Sequence, residues 1–165
     1  MSISASTLDD KAREDNRIAA NWLLWCGERR ERLEERRQEI IYSSTSAYDR
    51  PSTSRERSAG DPTANRAIKL AALDEDEKWL KLIDEIEAAL SQRDQVFLRL
   101  RRKYRHRRGR HGWTAAVQWE YPQEMAKRTG REPKEFWVEH RNTFAQWWGK
   151  IVDHTVREAI RRGLL

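Results

Sequence analysis

The sequence predicts an all-α protein: an N-terminal helical arm, a flexible linker and a C-terminal helical domain with a helix-turn-helix. Three observations predict it. Apolar residues recur at steps of three and four, as on one face of a helix. Charged residues make up 36% of the chain and apolar residues 38%, a balance that suits long, surface-rich helices better than a layered α/β domain. No segment alternates apolar and polar residues as a half-buried strand does. With 165 residues the chain is one domain of ordinary size, or a small domain with an extended arm. Such a chain can bury a core without disulfides.

The first helix is expected from about Leu8 to Tyr42, making residues 1–42 the arm. Ile18, Trp22 and Trp25 form one stripe with Leu8, Leu33 and Ile40. The mixed charges from Glu28 to Arg37 read as a solvated face with local ion pairs. Thr7 and Asp10 have capping-box spacing, and Gly27 threatens the continuity of the helix. Residues 43–60, rich in Ser and closed by Gly60, read as the linker.

A C-terminal domain over 61–165 follows. Asp61 and Pro62 suit the start of a second helix that continues to Leu90, with the stripe Ile68, Ala72, Trp79, Ile83, Ile86 and Leu90. Its acidic cluster, Asp74 to Glu77, reads as a solvated face, because no histidine or second acidic cluster accompanies it. Ser91 and Asp94 open a third helix whose apolar face is Phe97, Leu100 and Tyr104. Gly109 and Gly112 break the chain before a short helix around Trp113 to Trp119. Pro122 then opens another helix that ends on Gly130. Pro133 opens the last helical stretch, to about Arg162, with the stripe Phe144, Trp148, Ile151, Val156 and Ile160.

The net charge of +6 favours phosphate partners or an anionic membrane surface. The cations concentrate in one run: Arg99, Arg101, Arg102, Lys103, Arg105, Arg107, Arg108 and Arg110, with no acid among them. Holding them together requires a polyanion or acids brought from elsewhere. Contact with a nucleic-acid backbone is the preferred reading. Pairing with acids of the second helix and a membrane surface are the rivals, the latter weakened by a narrow apolar face.

Ala126, Gly130 and Phe136 have helix-turn-helix spacing: a small residue where helices cross, a turn glycine and an apolar anchor. The eight tryptophans mostly share helical spacing with aliphatic residues, which suits a core or an oligomer interface better than base stacking. Trp147 and Trp148 cannot both point straight inward. The four histidines and Cys26 lack ligand spacing, and no phosphate-loop, dinucleotide or nucleophile-elbow motif occurs. The expectation is therefore a non-enzyme without metal or cofactor. The single cysteine suits a reducing compartment. With no apolar run of signal-peptide or membrane-span length, a cytoplasmic location is expected.

Ile40-Ile41-Tyr42-Ser43, then Gly60-Asp61-Pro62-Thr63, then a sigma-region-four-like segment from Leu90 to Leu100, and finally Arg141-Asn142-Thr143-Phe144-Ala145-Gln146-Trp147 occur in that order. Over roughly residues 35–162 this resembles the RinA-type family of phage late transcriptional activators. The resemblance implies a C-terminal sigma-four-like helix-turn-helix that binds promoter DNA; host RNA polymerase is a further expected partner. Residues between Ala126 and Thr143, Pro133 and Trp137 among them, are extra relative to that pattern.

Two recognition helices are thus possible, one opening at Pro133 by spacing and one near Arg141 by resemblance. The second is preferred, with Asn142 as its cap and Phe144, Trp148 and Ile151 as its buried face. Arg141, Asn142, Gln146 and Lys150 would then read base edges of double-stranded DNA, while the basic run holds phosphates. The first helix would serve homo-oligomerisation or polymerase contact. A small-terminase-like DNA-packaging subunit and a helical protein-interaction module are the alternatives.

Overall fold

The structure, a computed structural model, describes residues 5–42, 62–108 and 112–165. All its regular elements are helical: α1 (Ala5–Tyr42), α2 (Pro62–Ala71), α3 (Asp74–Ala89), α4 (Gln92–Lys103), α5 (Gly112–Thr129), a 3₁₀ turn (Pro133–Phe136) and α6 (Asn142–Arg161). The all-α expectation holds. The expected linker, the capping role of Asp61 and the cation Arg110 lie outside the described residues.

The chain divides into two compact units, Met1–Trp25 with Leu82–Leu165 and Cys26–Lys81. The first boundary falls inside α1, where Trp25 leaves helical geometry at φ −117° and ψ 15°. Gly27, two residues on, is where the sequence weakens the helix. The N-terminal part of α1 therefore belongs with the C-terminal helices, whereas the sequence suggests a separate arm over 1–42. The core of that larger unit contains Ala19, Trp22 and Leu23 beside Leu82, Ile83, Val96, Phe97, Leu98, Val117, Phe144 and Ile151. The smaller unit buries Cys26, Leu33, Leu73, Trp79 and Leu80.

Several expected boundaries change. Thr7 falls inside α1, which begins at Ala5, so the capping box expected there does not start the helix. The single helix expected over 61–90 is two, α2 and α3, separated at Ala72 and Leu73. The cause lies in the acidic cluster. Asp74, Glu75, Asp76 and Glu77 fill the first turn of α3, where carboxylates meet the positive end of the helix dipole. Ile68, expected on the buried stripe, is 68% exposed.

Pro122 lies inside α5 instead of opening a helix, and it is buried there. Ser91 caps α4 as expected, its Oγ accepting from the Asp94 amide at 3.2 Å. In α6 the buried stripe is Phe144, Ile151, Val152, Thr155 and Ala159. Ile160, expected inside, is 51% exposed.

α4, α5 and α6 meet around aromatic rings. Phe97 stacks on Phe144 with centroids 5.9 Å apart. Trp147 meets Phe97, Tyr121 and Phe144 edge-on at 5.7, 5.6 and 5.2 Å. Such pairs add about 0.5–1.5 kcal/mol each beyond the apolar area they bury.

Candidate nucleic-acid interface

The turn after α5 forms as its residues require. Gly130 closes the helix at φ +72°, a left-handed conformation that glycine adopts without a Cβ penalty, and its amide donates to the Ala126 carbonyl at 2.8 Å. Pro133 then starts only a four-residue 3₁₀ turn, to Phe136. The long helix expected from Pro133 to Arg162 is thus interrupted, and the helix that follows the turn is α6.

The interruption has a cause that spacing does not show. Gln118, 6% exposed on α5, donates through Nε2 to the carbonyls of Val138 and Glu139 at 2.7 and 3.1 Å. Its Oε1 accepts from Arg141 Nε at 2.9 Å. One buried amide thereby holds the segment between the 3₁₀ turn and α6, and takes two carbonyls that a continuous helix would use. Arg141, with helical backbone angles, occupies the cap position expected of Asn142, and Asn142 is the first residue of α6.

The four residues expected to read bases separate into two groups. Asn142, Gln146 and Lys150, at steps of four, share an exposed face of α6 opposite Phe144 and Ile151. Asp153 and Arg157 continue that face. Arg141 is exposed as well, but its side chain is tied to α5.

The basic run is also divided. Arg99 pairs with Glu124, and Lys103 with Glu120. Since each pair of residues is four apart on its own helix, the two bridges form a ladder between α4 and α5. Lys103 is held above its ordinary pKa mainly by its hydrogen bond to Glu120. Arg102 donates to Glu87 and to the Leu23 carbonyl, both at 2.8 Å.

Arg101 is buried, 9% exposed, with its guanidinium 4.4 Å from the ring centre of Trp113 and 5.1 Å from that of Trp148. Its Nε and one terminal nitrogen have no hydrogen-bond partner among the described residues. Burial pushes its pKa down to about 10. Arg105 lies over Trp25 at 4.6 Å and donates to the Arg102 carbonyl at 3.0 Å. Arg107 lies 5.2 Å from the Tyr104 ring, and it and Arg108 are exposed.

Among the described residues the run thus keeps Arg107 and Arg108 as exposed cations without an acid partner, while Arg99, Arg102 and Lys103 pair with acids of α3 and α5. The sequence contains a signal for this: Glu120 and Glu124 repeat the spacing of Arg99 and Lys103.

The tryptophans are as divided as their spacing suggests. Trp22 and Trp79 are buried, and Trp147 and Trp148 are each half-buried on different partners. Trp119 and Trp137 are 68% and 46% exposed and pack edge-to-face at 5.8 Å. Among the described residues no group of three His, Cys, Asp or Glu side chains is placed to hold a metal ion, and no helix is long and apolar enough to cross a membrane. No protein-family model, curated protein or solved structure matches the chain.

Proposed function

We propose that the chain is a sequence-specific double-stranded DNA-binding regulator of transcription, an activator of phage late genes as the resemblance to the RinA-type family implies. The observation that carries the reading is the exposed face of α6. It presents Asn142, Gln146 and Lys150 on a helix that follows the Gly130 turn and the 3₁₀ turn and is anchored through its opposite face. Asn and Gln match adenine edges in the major groove, and Arg107 and Arg108 supply phosphate contacts. Homo-oligomerisation and contact with host RNA polymerase belong to the same proposal.

Selection of binding sites from a random DNA pool tests it. The full chain should enrich one consensus, and footprinting should protect that sequence. Gln146→Ala should cost about 1–3 kcal/mol at the consensus and relax one base pair, with random DNA bound as before. Enrichment of no consensus by the unaltered chain would sink the reading.

The exposed pair Trp119 and Trp137 favours a second reading, a helical interaction module without DNA binding. Salt-insensitive behaviour and no retention on DNA would favour that module.

A further inference from the structure

A pocket of about 180 Å³ opens between the start of α4 and the middle of α6. A water takes about 30 Å³, so the space suits one hydrated oxyanion. Arg93, Lys150 and His154 bring three nitrogen-bearing side chains to it, and Trp147 forms an aromatic wall.

Asp94 is the one acid of the lining, and it is held at the start of α4 by Ser91 and by Arg93 itself. It accepts from Ser91 Oγ at 2.7 Å and from Arg93 Nε at 3.1 Å. Arg93 lies 4.6 Å from the Trp147 ring centre, which orients its guanidinium while leaving the side chain 54% exposed. Lys150 is exposed and meets no acid among the described residues. Arg93 pairs with Asp94 through Nε and one terminal nitrogen, so its other terminal nitrogen and the uncommitted Lys150 ammonium are what remain to hold an anion.

We propose that this pocket seats a phosphate group, donated by the nucleic-acid backbone, with Arg93 and Lys150 as its charged donors and His154 as the third. The source of the phosphate rests on the DNA reading above. The geometry of α6 supports the assignment. Lys150 stands eight residues beyond Asn142, about 12 Å along the helix. The major groove is about 8.5 Å deep. A helix that enters by its N-terminus therefore carries Asn142 toward the bases and Lys150 to the rim, where the phosphates lie. His154, one turn further on, lines the same pocket beyond Lys150. Lys150 thereby leaves the base-reading set and joins the backbone contacts.

Two measurements on the full chain test this. In the first, inorganic phosphate is titrated at constant ionic strength while the Trp147 indole N–H is followed by NMR, with Trp147→Phe used to assign the resonance. A saturable shift is expected, weakened at least tenfold in Lys150→Gln and unchanged in Lys81→Gln, an exposed control in the other unit. A shift that does not saturate, or one that Lys150→Gln leaves alone, overturns the pocket.

In the second, duplex DNA binding is measured against salt. Lys150→Gln should make the slope of log K against log salt shallower by about 0.9, with the selected consensus unchanged. An unchanged slope with altered base preference would return Lys150 to base reading and overturn the proposal. Saturable phosphate binding without any DNA binding would keep the pocket and remove the DNA reading.

Discussion

Arg101 shows how a single buried side chain can be read twice. On the sequence it is one more cation for a polyanion, but in the fold it lies between Trp113 and Trp148. A fall in pKa to about 10 through burial corresponds to a penalty on the order of 3 kcal/mol at neutral pH. Two cation–π contacts, each worth up to about 2 kcal/mol when desolvated, nearly offset it. Arg101→Met, which keeps volume and removes charge, should accordingly change stability by less than about 1 kcal/mol in denaturant unfolding.

The pH dependence has a definite sign. The folded-state value lies below the ordinary arginine value, so between the two the unfolded chain binds more protons. The wild type should gain stability relative to Arg101→Met as pH rises above about 10. The same variant should leave the salt dependence of DNA binding unchanged, because the side chain is buried against two indole rings. Neutralising Arg107 and Arg108 together should make that slope shallower by about 1.8, two contacts at about 0.9 each. Equal slopes for the two variants would overturn this division of the basic run.

At the scale of elements, α6 depends on what precedes it. Gln118→Ala removes the donor that satisfies the Val138 and Glu139 carbonyls and the acceptor that holds Arg141. Val138 is half-buried and Glu139 and Arg141 are exposed, so water replaces part of what is lost and the cost should be about 0.5–1.5 kcal/mol for a hydrogen bond. Amide exchange at Thr143 and Phe144 should quicken while that of the α4 core stays slow, and an even change across both helices would count against a local lock. Gly130→Ala meets no neighbour within 4 Å, so its cost is conformational, about 1–2 kcal/mol for a left-handed alanine. Phe144→Ala is harsher. It removes a ring that stacks on Phe97 and supports Trp147 and Tyr121, and truncating a buried aromatic costs about 3–5 kcal/mol. Urea unfolding measures all three.

At the scale of the molecule, the unit that carries α6 is built from both ends of the chain. Ala19, Trp22 and Leu23 are part of its core, and the Leu23 carbonyl accepts from Arg102. Leu23→Ala should cost about 2–5 kcal/mol. A fragment covering 61–165 lacks all three residues, so it should unfold at lower urea, and less cooperatively, than the full chain by circular dichroism. An unchanged midpoint would show that the N-terminal segment is dispensable to this unit. A lowered midpoint would, on the proposed reading, tie DNA binding to the integrity of α1.

The sequence by itself determined the helical class, the cap at Ser91, the turn at Gly130 and the exposed face Asn142, Gln146 and Lys150. Each of these depends on local periodicity or on the conformational preference of one residue, which act within a turn or two of the chain. Only the tertiary structure decided which cations face outward, where the helix after Pro133 stops and which unit owns residues 5–25. Those outcomes depend on partners far away in sequence: Glu120 and Glu124 for Arg99 and Lys103, Gln118 for the carbonyls before α6, and Leu23 for Arg102. A charge run reads alike whether its counter-ions are solvent, a ligand or another helix, because pairing depends on distance in space and leaves no mark on spacing along the chain.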